Sequence, residues 1–236
     1  MVSLYYYFRS LKIDNIEIVH KNDDFIIVNK PNGLLTHPTN KSNELTLRDH
    51  LVKQYPDVLS WGEKNREGIV HRLDRVTSGL IVCALNIESY LVLKDKFKNR
   101  EIQKNYSALI EGALPSQSGI LKLPLTRSKQ NRSKRTVDSK GRDSTTNYEV
   151  IEFYDNLNIS KIELELVTGR NHQIRAHMEH MKTPILNDTL YTASRNNLIP
   201  KNSIALHSTS LKFQYKKQEF SFRVDSPHFF NQVLDV

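Results

Sequence analysis

The sequence predicts an α+β fold in which a mixed β-sheet forms the core. Segments with strand-like patterns of apolar residues dominate the chain, and segments with helical spacing are fewer. The chain has 236 residues, of which 38% are hydrophobic, so it can bury a substantial core within one domain.

The strand-like segments are separated by turn residues at many of their junctions. Some are continuous apolar runs, which are typical of buried strands, and others alternate apolar and polar residues. In chain order they are DFIIVNK (24–30), GLIVCALN (79–86), EIQKNYSALIEG (101–112), TTNYEVIEFY (145–154), ISKIELELVTG (159–169), SIALHSTSLKF (203–213) and EFSFRV (219–224).

Helical patterns occur between these strands, where apolar residues recur three or four positions apart. They are LTLRDHLVKQY (45–55), IESYLVLKDKFKNR (87–100, with Tyr90, Leu93 and Phe97 in register) and NHQIRAHMEHM (171–181, with Ile174, Met178 and Met181 in register). Helices are therefore expected to flank the sheet.

The domain organisation is simple, because no internal repeat and no Pro-, Gly- or Ser-rich linker divides the chain. We expect one domain, residues 15–236, after an N-terminal extension of residues 1–14.

The apolar stretch near the N-terminus is too short to span a membrane and lacks the basic region of a secretory signal. The single cysteine permits no disulfide within the chain. These features predict a cytoplasmic protein with no membrane partner, and they leave import into an organelle open.

The charge of the chain is strongly positive, with 34 Lys and Arg residues against 26 Asp and Glu. The formal net charge of +8 and the pI near 9.4 favour a polyanionic partner such as nucleic acid. Many basic proteins bind nothing acidic, so the charge alone does not identify the partner.

The positive charge is densest in RSKQNRSKRTVDSKGR, residues 127–142, which we call the basic segment. It holds seven basic residues and one acidic residue, and we expect it to be mobile. Two interpretations stay open, a solvated hairpin loop and an arm that contacts phosphates; the scarcity of neutralising carboxylates favours the arm. The candidate phosphate contacts are Arg127, Arg132, Lys134 and Arg135.

One aspartate, Asp74, lies between two arginines in GIVHRLDRVTSGLIVCALN, residues 68–86, just before an apolar strand. Nearby guanidinium groups keep a carboxylate ionised, and a loop at a strand entrance can direct it into a cleft. The same residues also fit an Arg–Asp pair that fixes a turn. A turn capped by the hydroxyls of Thr77 and Ser78 is a further structural interpretation, and each is compatible with a catalytic loop.

Several motifs together resemble the RluA-type family of pseudouridine synthases. HRLDRVTSGL is similar to the segment of that family that contains its catalytic aspartate. The other similar segments are VNKPNGLLTHP (28–38), QKNYSALIEG (103–112), TGRNHQIRAHMEHMKTPILNDTLY (168–191) and ALHSTSLKF (205–213). They follow the family's order, so the resemblance implies the family's mixed, mainly antiparallel sheet flanked by helices, with a central active-site cleft.

The chain departs from the family pattern in two respects. We expect no separate RNA-binding domain, because residues 1–14 are too few for the small N-terminal domain that many members carry. Asn171 stands where the family usually has threonine or serine. We expect this change to be tolerated, since asparagine can also cap a helix.

The resemblance implies an enzyme that isomerises uridine in RNA to pseudouridine without a metal, nucleotide or redox cofactor. Asp74 would act at the ribose, either by attacking C1′ or by removing the 2′ proton; the residues do not distinguish these routes. Arg175 would pair with Asp74 and keep it charged, and Tyr106 would pack on the target base. Arg72 would fill the gap left by a flipped uridine. Further candidate RNA contacts are Lys30, Arg170 and His172.

The expected partner is structured RNA, either large-subunit ribosomal RNA or transfer RNA, and the expected oligomeric state is a monomer.

A metal site at His172, His177 and His180 is disfavoured, because their spacings of five and three lack the i, i+4 pair of metallohydrolase helices. The alternative from another functional class is an RNA-binding or ribosome-assembly protein in which Asp74 is dispensable.

Overall fold

The structure, a computed structural model, describes residues 12–39 and 43–235 of the chain. The strands in these ranges are β1 (Lys12–Ile13), β2 (Ile16–Lys21), β3 (Phe25–Lys30), β4 (Ser78–Ala84), β5 (Gln103–Glu111), β6 (Ser118–Lys122), β7 (Leu125–Arg127), β8 (Arg135–Val137), β9 (Thr145–Tyr154), β10 (Ile159–Leu166), β11 (Leu206–Tyr215) and β12 (Gln218–Arg223). The helices are α1 (Leu47–Gln54), α2 (Ile87–Asn99), α3 (Gln173–His180) and α4 (Phe229–Leu234), and 3₁₀ turns cover Pro56–Ser60 and Thr189–Tyr191.

A sheet of 10 strands forms the centre of the fold, in the order β1-β2-β3-β4-β11-β5-β10-β9-β6, with β12 paired to β11. Within the described ranges, β4 and β11 are parallel and every other strand pair of this sheet is antiparallel. The α+β class and the mainly antiparallel mixed sheet are therefore confirmed. Each strand and helix that the sequence predicts is present, with ends shifted by a few residues.

The parallel contact between β4 and β11 depends on a glycine. Gly79 pairs with Ser208 and has φ +112°, a conformation that other residues rarely adopt. A Cβ atom at this position would lie 2.3 Å from the backbone oxygen of Ser208. Glycine at this point therefore lets β11 approach the start of β4, directly after the loop that carries Asp74.

Helix α2 covers one part of the sheet and begins at a capping box. The side chain of Asn86 accepts a hydrogen bond from the Ser89 amide at 2.9 Å, and Ser89 Oγ accepts from the Asn86 amide at 3.4 Å. Tyr90 and Leu93 are buried in a cluster with residues of β3, β4 and β11. The ring of Phe97, in the last turn of α2, is thereby placed beside the loop that contains Asp74.

Helix α3 packs against a second apolar cluster. Its residues Ile174 and Met178 are buried together with Leu109 of β5 and Leu164 of β10. This packing directs the other side of the helix, with Arg175, towards Asp74. The sheet and α3 thus bring together residues that lie 101 positions apart in the chain.

Several elements have no counterpart in the sequence prediction: β1, β2, β6, β7, β8 and α4. The sequence places residues 12–14 in the extension, whereas Lys12 and Ile13 pair with Glu17 and Ile16. The rest of that extension, residues 1–11, lies outside the described residues, and the domain boundary stays a prediction. None of the helices in residues 12–39 and 43–235 is long and apolar enough to cross a membrane.

The basic segment is not the mobile arm that its composition predicts. Arg127 at the end of β7 pairs with Arg135 at the start of β8, and the pairing continues to Leu125 and Val137. Strand β8 also contacts α3. Backbone pairing and these tertiary contacts hold the segment as a hairpin, so the prediction of mobility is wrong.

Candidate active site

The loop of residues 71–77, which carries Asp74, is fixed to the sheet at its start by His71. Its Nε2 accepts a hydrogen bond from the Val82 amide of β4 at 2.9 Å, and its ring stacks on Phe97 with centroids 4.2 Å apart. Burial lowers the pKa of His71 to about 3, so the ring is neutral and accepts this bond at physiological pH. We therefore assign His71 a structural role.

A second loop, residues 31–36, holds the 71–77 loop from the other side. Thr36 Oγ1 donates a hydrogen bond to the carbonyl of Leu73 at 2.8 Å, and Asn32 Nδ2 donates to the carbonyl of Val76 at 2.7 Å. The Gly33 amide donates to the carbonyl of Arg75 at 2.8 Å. The backbone on both sides of Asp74 is thus held in place.

Lys30 stabilises the 31–36 loop by hydrogen bonds and is not exposed to solvent. Its side chain is 0% exposed, and Nζ donates to the carbonyls of Pro31 and Leu34 at 2.9 Å each. Burial lowers the pKa of Lys30 to about 7, and the charge of Asp74 opposes that effect. The prediction that Lys30 contacts RNA is wrong, because its ammonium group is enclosed by protein.

The carboxylate of Asp74 forms an ion pair with Arg175, whose Nη1 donates to Oδ2 at 3.0 Å. The guanidinium group also donates from Nε and Nη2 to the carboxylate of Asp188, at 2.6 and 2.8 Å. Asp74 retains 14% exposure of its side chain, whereas that of Asp188 is 1% exposed. Arg175 is therefore anchored by a buried carboxylate and presents its remaining nitrogen to a partly accessible one.

Opposing effects set the pKa of Asp74. Burial raises it, but the charges of His172 and Arg175 and the hydrogen bond from Arg175 lower it by more, so the pKa lies below its ordinary value. Burial also holds the pKa of His172 below its ordinary value, which leaves that ring largely neutral near pH 7. With His172 neutral, the permanent charges of Arg175 and, to a smaller extent, Arg72 keep Asp74 ionised at neutral pH.

Tyr191 completes the surroundings of the ion pair. Its ring lies under the guanidinium group of Arg175, 4.9 Å from centroid to Cζ, and its hydroxyl accepts a hydrogen bond from the Arg135 amide at 2.8 Å. The same hydroxyl lies 3.1 Å from Nδ1 of His172, and Nε2 of that ring lies 3.7 Å from the carboxylate of Asp74. His172 is therefore positioned by Tyr191 at the edge of the carboxylate, beyond direct hydrogen-bonding distance.

The start of α3 is not capped in the way that the sequence suggests. The residue before the helix is His172, in a left-handed conformation with φ +54°, and no side chain caps the helix there. The side-chain oxygen of Gln173 instead accepts from Thr168 Oγ1 at 2.7 Å and from the Arg170 amide at 3.0 Å. The expected capping role of Asn171 is therefore wrong, because Gln173 organises this turn.

Tyr106 lies on β5, opposite Ser208 of β11, and is buried. Burial raises the pKa of its phenol, the Ser208 hydroxyl opposes this weakly, and the charge of Asp74 adds to the increase. The ring is consequently a neutral phenol at physiological pH.

The side chains described above line one pocket. Its lining includes Asp74, Tyr106 and Arg175, together with the predicted RNA contacts Arg72, Arg170 and His172. The apolar part of the wall consists of Leu73, Leu166, Ile174 and Leu206. The pocket therefore combines an ionised carboxylate, an aromatic ring and cations with an apolar surface that can accommodate a planar base.

Arg72 lies on the exposed rim of this pocket. Its Nη1 donates to Nε2 of His37 at 3.1 Å, while Nδ1 of that ring lies 3.1 Å from the carbonyl of Pro38. Burial lowers the pKa of His37, so the ring is neutral and can accept from the arginine. Arg72 is thus held at the pocket entrance by a hydrogen bond to a neutral ring, and its charge contributes to the lowered pKa of Asp74.

The candidate RNA contacts of the basic segment have different environments. Arg127 and Arg132 are exposed. Lys134 forms an ion pair with Glu179 of α3, and its ammonium lies over the ring of Tyr191 at 4.9 Å. Its charge is largely neutralised, so a free phosphate contact by Lys134 is not supported; it fixes the hairpin to α3 instead.

Asp188, Tyr191 and Thr36 also belong to the site, although no sequence pattern predicts a role there for any of them. Asp188 and Tyr191 lie in TPILNDTLY (183–191), the last part of the motif at 168–191 that resembles the family. That resemblance is the one feature of the sequence that points to them. Nothing local indicates that Asp188 binds a guanidinium group 13 positions earlier. In the described ranges, no group of three or more His, Cys, Asp or Glu residues is placed to hold a metal ion.

The sequence matches the family model for RNA pseudouridylate synthase over residues 24–180. It is 35% identical over 213 residues to ribosomal large subunit pseudouridine synthase D of Haemophilus ducreyi, covering 85% of this chain and 63% of that protein. It is 31% identical to an uncharacterized RNA pseudouridine synthase of Bacillus subtilis, covering 86% and 66%. The chain thus spans less than two thirds of the length of these curated relatives.

The fold is similar to that of solved structures of related proteins. Human RNA pseudouridylate synthase domain containing 1 superposes with a TM-score of 0.73 at 25% sequence identity, over 93% of this chain and 87% of that one. The match to human RNA pseudouridylate synthase domain containing 4, at 23% identity with a TM-score of 0.72 over 92% and 91% of the two chains, supports the fold alone. The family match over most of the sequence and the RluA-type motifs around Asp74 show that this chain belongs to the RNA pseudouridylate synthase family, as an RluA-type member.

Proposed function

We propose that this chain isomerises uridine in structured RNA to pseudouridine, with Asp74 as the catalytic carboxylate. The observation that carries the proposal is the position of Asp74, ionised by Arg175 at 3.0 Å, in the same pocket as Tyr106. The family membership of the chain supports the same activity.

The reaction breaks the bond between C1′ and N1 of uridine and forms a bond between C1′ and C5. The proton on C5 is lost and N1 gains one, so the atoms balance and no electrons leave the substrate. Asp74 either attacks C1′ as a nucleophile or removes the 2′ proton as a base, and both routes require it to be ionised. Its lowered pKa meets that requirement at physiological pH.

Arg175 and Tyr106 have supporting roles in this proposal. Arg175 orients the Asp74 carboxylate and keeps it charged in a largely buried site. Tyr106 packs on the uracil ring as a neutral phenol. Because burial raises its pKa, Tyr106 is not a standing phenolate, and it could take the C5 proton only by passing its own proton on.

Base flipping is the proposed route of entry into the pocket. A uracil within a helical stem is not accessible to a carboxylate enclosed to this degree, so the nucleotide has to rotate out of the stack. Arg72 at the entrance is exposed and is long enough to occupy the gap that the base leaves. It is also available to contact the RNA backbone.

We propose large-subunit ribosomal RNA as the first substrate class to test, because some of the relatives are named as pseudouridine synthases of that subunit. Transfer RNA is the second class. A monomer that acts in the cytoplasm is part of the same proposal.

Mapping of pseudouridines in cellular RNA, with and without this gene, tests the proposal. We expect one or a few uridines of large-subunit ribosomal RNA or transfer RNA to lose the modification when the gene is deleted. Re-expression of the wild-type chain should restore it. An identical pseudouridine map in both strains would contradict the proposed function and would favour an RNA-binding protein that does not modify its RNA.

A further inference from the structure

A basic groove lies beside the active-site pocket and shares part of its wall. The shared residues are Arg72, Tyr106, Leu166 and Arg170. The groove also contains Lys98, Arg100, Lys104 and Arg142, and no Asp or Glu occurs among the described residues that line it. Its volume is about 520 Å³, which is enough for a sugar-phosphate unit. A strand that places a base in the pocket can therefore continue through this groove.

The cations of the groove repel one another. The pKa of Arg170 is lowered by burial first, and then by the charges of Arg142 and Arg100; Asp143 opposes these effects more weakly. No ion pair with a carboxylate involves Arg100, Arg142 or Arg170 in the part of the chain that the structure describes. Three guanidinium groups that line one groove, and that form no carboxylate ion pair among the described residues, favour an anion that is supplied from outside.

Arg100 has a backbone conformation that is unusual for an arginine. Arg100 ends α2 in a left-handed conformation with φ +64°, a position at which glycine is the preferred residue. Its side chain is exposed, and its backbone amide already satisfies the end of the helix. The favourable effect of a cation at a helix end is an ordinary explanation for an arginine there, but it does not explain why Arg142 and Arg170 converge on the same groove.

We propose that Arg100, Arg142 and Arg170 bind a backbone phosphate of the RNA next to the nucleotide whose base enters the Asp74 pocket. The proposal rests on the proposed function for the identity of that nucleotide. Guanidinium groups suit this ligand because their planar donors match phosphate oxygens. Arg100 and Arg142 thereby gain a role in RNA binding, although they lie outside the motifs that resemble the family.

The test compares Arg100→Gly with Lys217→Gly. Both residues are exposed and basic, and both have φ +64°, so each substitution removes one positive charge and relieves the same backbone conformation. Lys217 lies in the turn between β11 and β12, outside the groove. Binding of a fluorescein-labelled oligouridylate is measured as a function of salt concentration, and thermal unfolding checks that both variants are folded.

We expect Arg100→Gly to weaken oligouridylate binding about tenfold at low salt. The slope of log affinity against log salt should become shallower by about 0.7, as for one lost phosphate contact. Lys217→Gly should bind as the wild type does, and Arg142→Gln should behave like Arg100→Gly. An oligouridylate with uncharged methylphosphonate linkages should bind the wild type and Arg100→Gly equally weakly.

Equal affinities and salt slopes for Arg100→Gly, Lys217→Gly and the wild type would overturn the proposed phosphate site. A defect of Arg100→Gly that persists with the uncharged linkages would also overturn it, because the contact would then be to a base or sugar. Pseudouridine formation by the wild type is measured in parallel, on large-subunit ribosomal RNA and transfer RNA from cells that lack the gene. If the wild type forms none while the Arg100→Gly defect is present, the proposed reaction fails and the phosphate site stands.

Discussion

The carboxylate of Asp188 holds the guanidinium group of Arg175 through two hydrogen bonds, from Nε at 2.6 Å and from Nη2 at 2.8 Å. This fork leaves Nη1 for the catalytic candidate Asp74 at 3.0 Å. Arg175 is thus a rigid link between a buried carboxylate and a partly accessible one. The orientation of Asp74 should depend on Asp188, although Asp188 is too deeply buried to touch RNA.

Asp188→Asn should lower turnover by about 100-fold, because the loss of one acceptor lets Arg175 move and misplaces the Asp74 carboxylate. The substitution removes a negative charge near Asp74, which lowers the pKa of Asp74, so the acidic limb of the pH–rate profile should not move to higher pH. Single-turnover kinetics across pH would measure both effects. A turnover equal to that of the wild type would show that Asp188 does not position Arg175.

Arg175→Ala should have the opposite effect on the pH profile. Since Arg175 lowers the pKa of Asp74, its removal should raise that pKa and move the acidic limb of activity to higher pH. Arg175→Lys keeps a charge but loses the planar fork, so it should restore only part of the activity. The alanine variant leaves Asp188 buried without its partner, which costs about 3–5 kcal/mol of folding free energy, so the lysine variant is the safer one for kinetics. Wild-type activity in both variants would exclude Arg175 from the site.

Thr36→Val should destabilise the protein by about 1–3 kcal/mol, because the carbonyl of Leu73 loses a buried hydrogen bond of 2.8 Å without a replacement from water. Thr189→Val, at an exposed position, is the matched control. Denaturant unfolding monitored by circular dichroism gives the free energy of each variant. Equal stabilities would indicate that the 31–36 loop does not hold the loop of Asp74 through this bond.

Gly79→Ala should prevent normal folding or cost more than about 3 kcal/mol, because its Cβ would lie 2.3 Å from a backbone atom of Ser208 and would require a strained φ. Gly169→Ala is the control, since no atom lies within 4 Å of a Cβ at that position. Thermal unfolding of the two purified proteins would reveal the difference. A Gly79→Ala protein as stable as the control would mean that β4 and β11 can separate at little cost.

The basic segment should divide into two functional parts. Arg127→Ala and Arg132→Ala should each make the salt dependence of RNA binding shallower by about 0.7 if these exposed residues contact phosphates. Lys134→Met should leave that slope unchanged, because its ammonium is already paired with Glu179, and should lower the melting temperature. An unchanged slope in all three variants would identify the segment as a solvated hairpin with no role in RNA binding.

The sequence predicts the fold well where apolar patterns are strong. Strand β4 is a continuous apolar run that is buried along its whole length. Helix α2 begins at Ile87, directly after Asn86, whose side chain caps it. Short elements such as β8 and α4 are missed, because three or six residues carry too little periodicity to be recognised. Composition predicts a mobile basic segment, because it carries no information about the backbone pairing of β7 with β8.

The site is predictable only in part, for a similar reason. The motifs point to Asp74, Tyr106 and Arg175, and the structure places these three in one pocket. The role of Asp188 depends on a tertiary contact that no local pattern encodes. Lys30 illustrates the converse, since a lysine in a basic chain suggests a contact with RNA, yet its side chain is buried and its ammonium donates to the carbonyls of Pro31 and Leu34.

Pseudouridine formation by Asp74→Asn is the most direct test of the account. Large-subunit ribosomal RNA and transfer RNA from cells that lack the gene serve as substrates, and Asp225→Asn, which removes an exposed carboxylate, is the control. The amide of Asn can neither attack C1′ nor remove the 2′ proton, so Asp74→Asn should bind RNA and form no detectable pseudouridine, while Asp225→Asn should match the wild type. Turnover by Asp74→Asn within about tenfold of the wild type would contradict the central claim that this carboxylate performs the reaction.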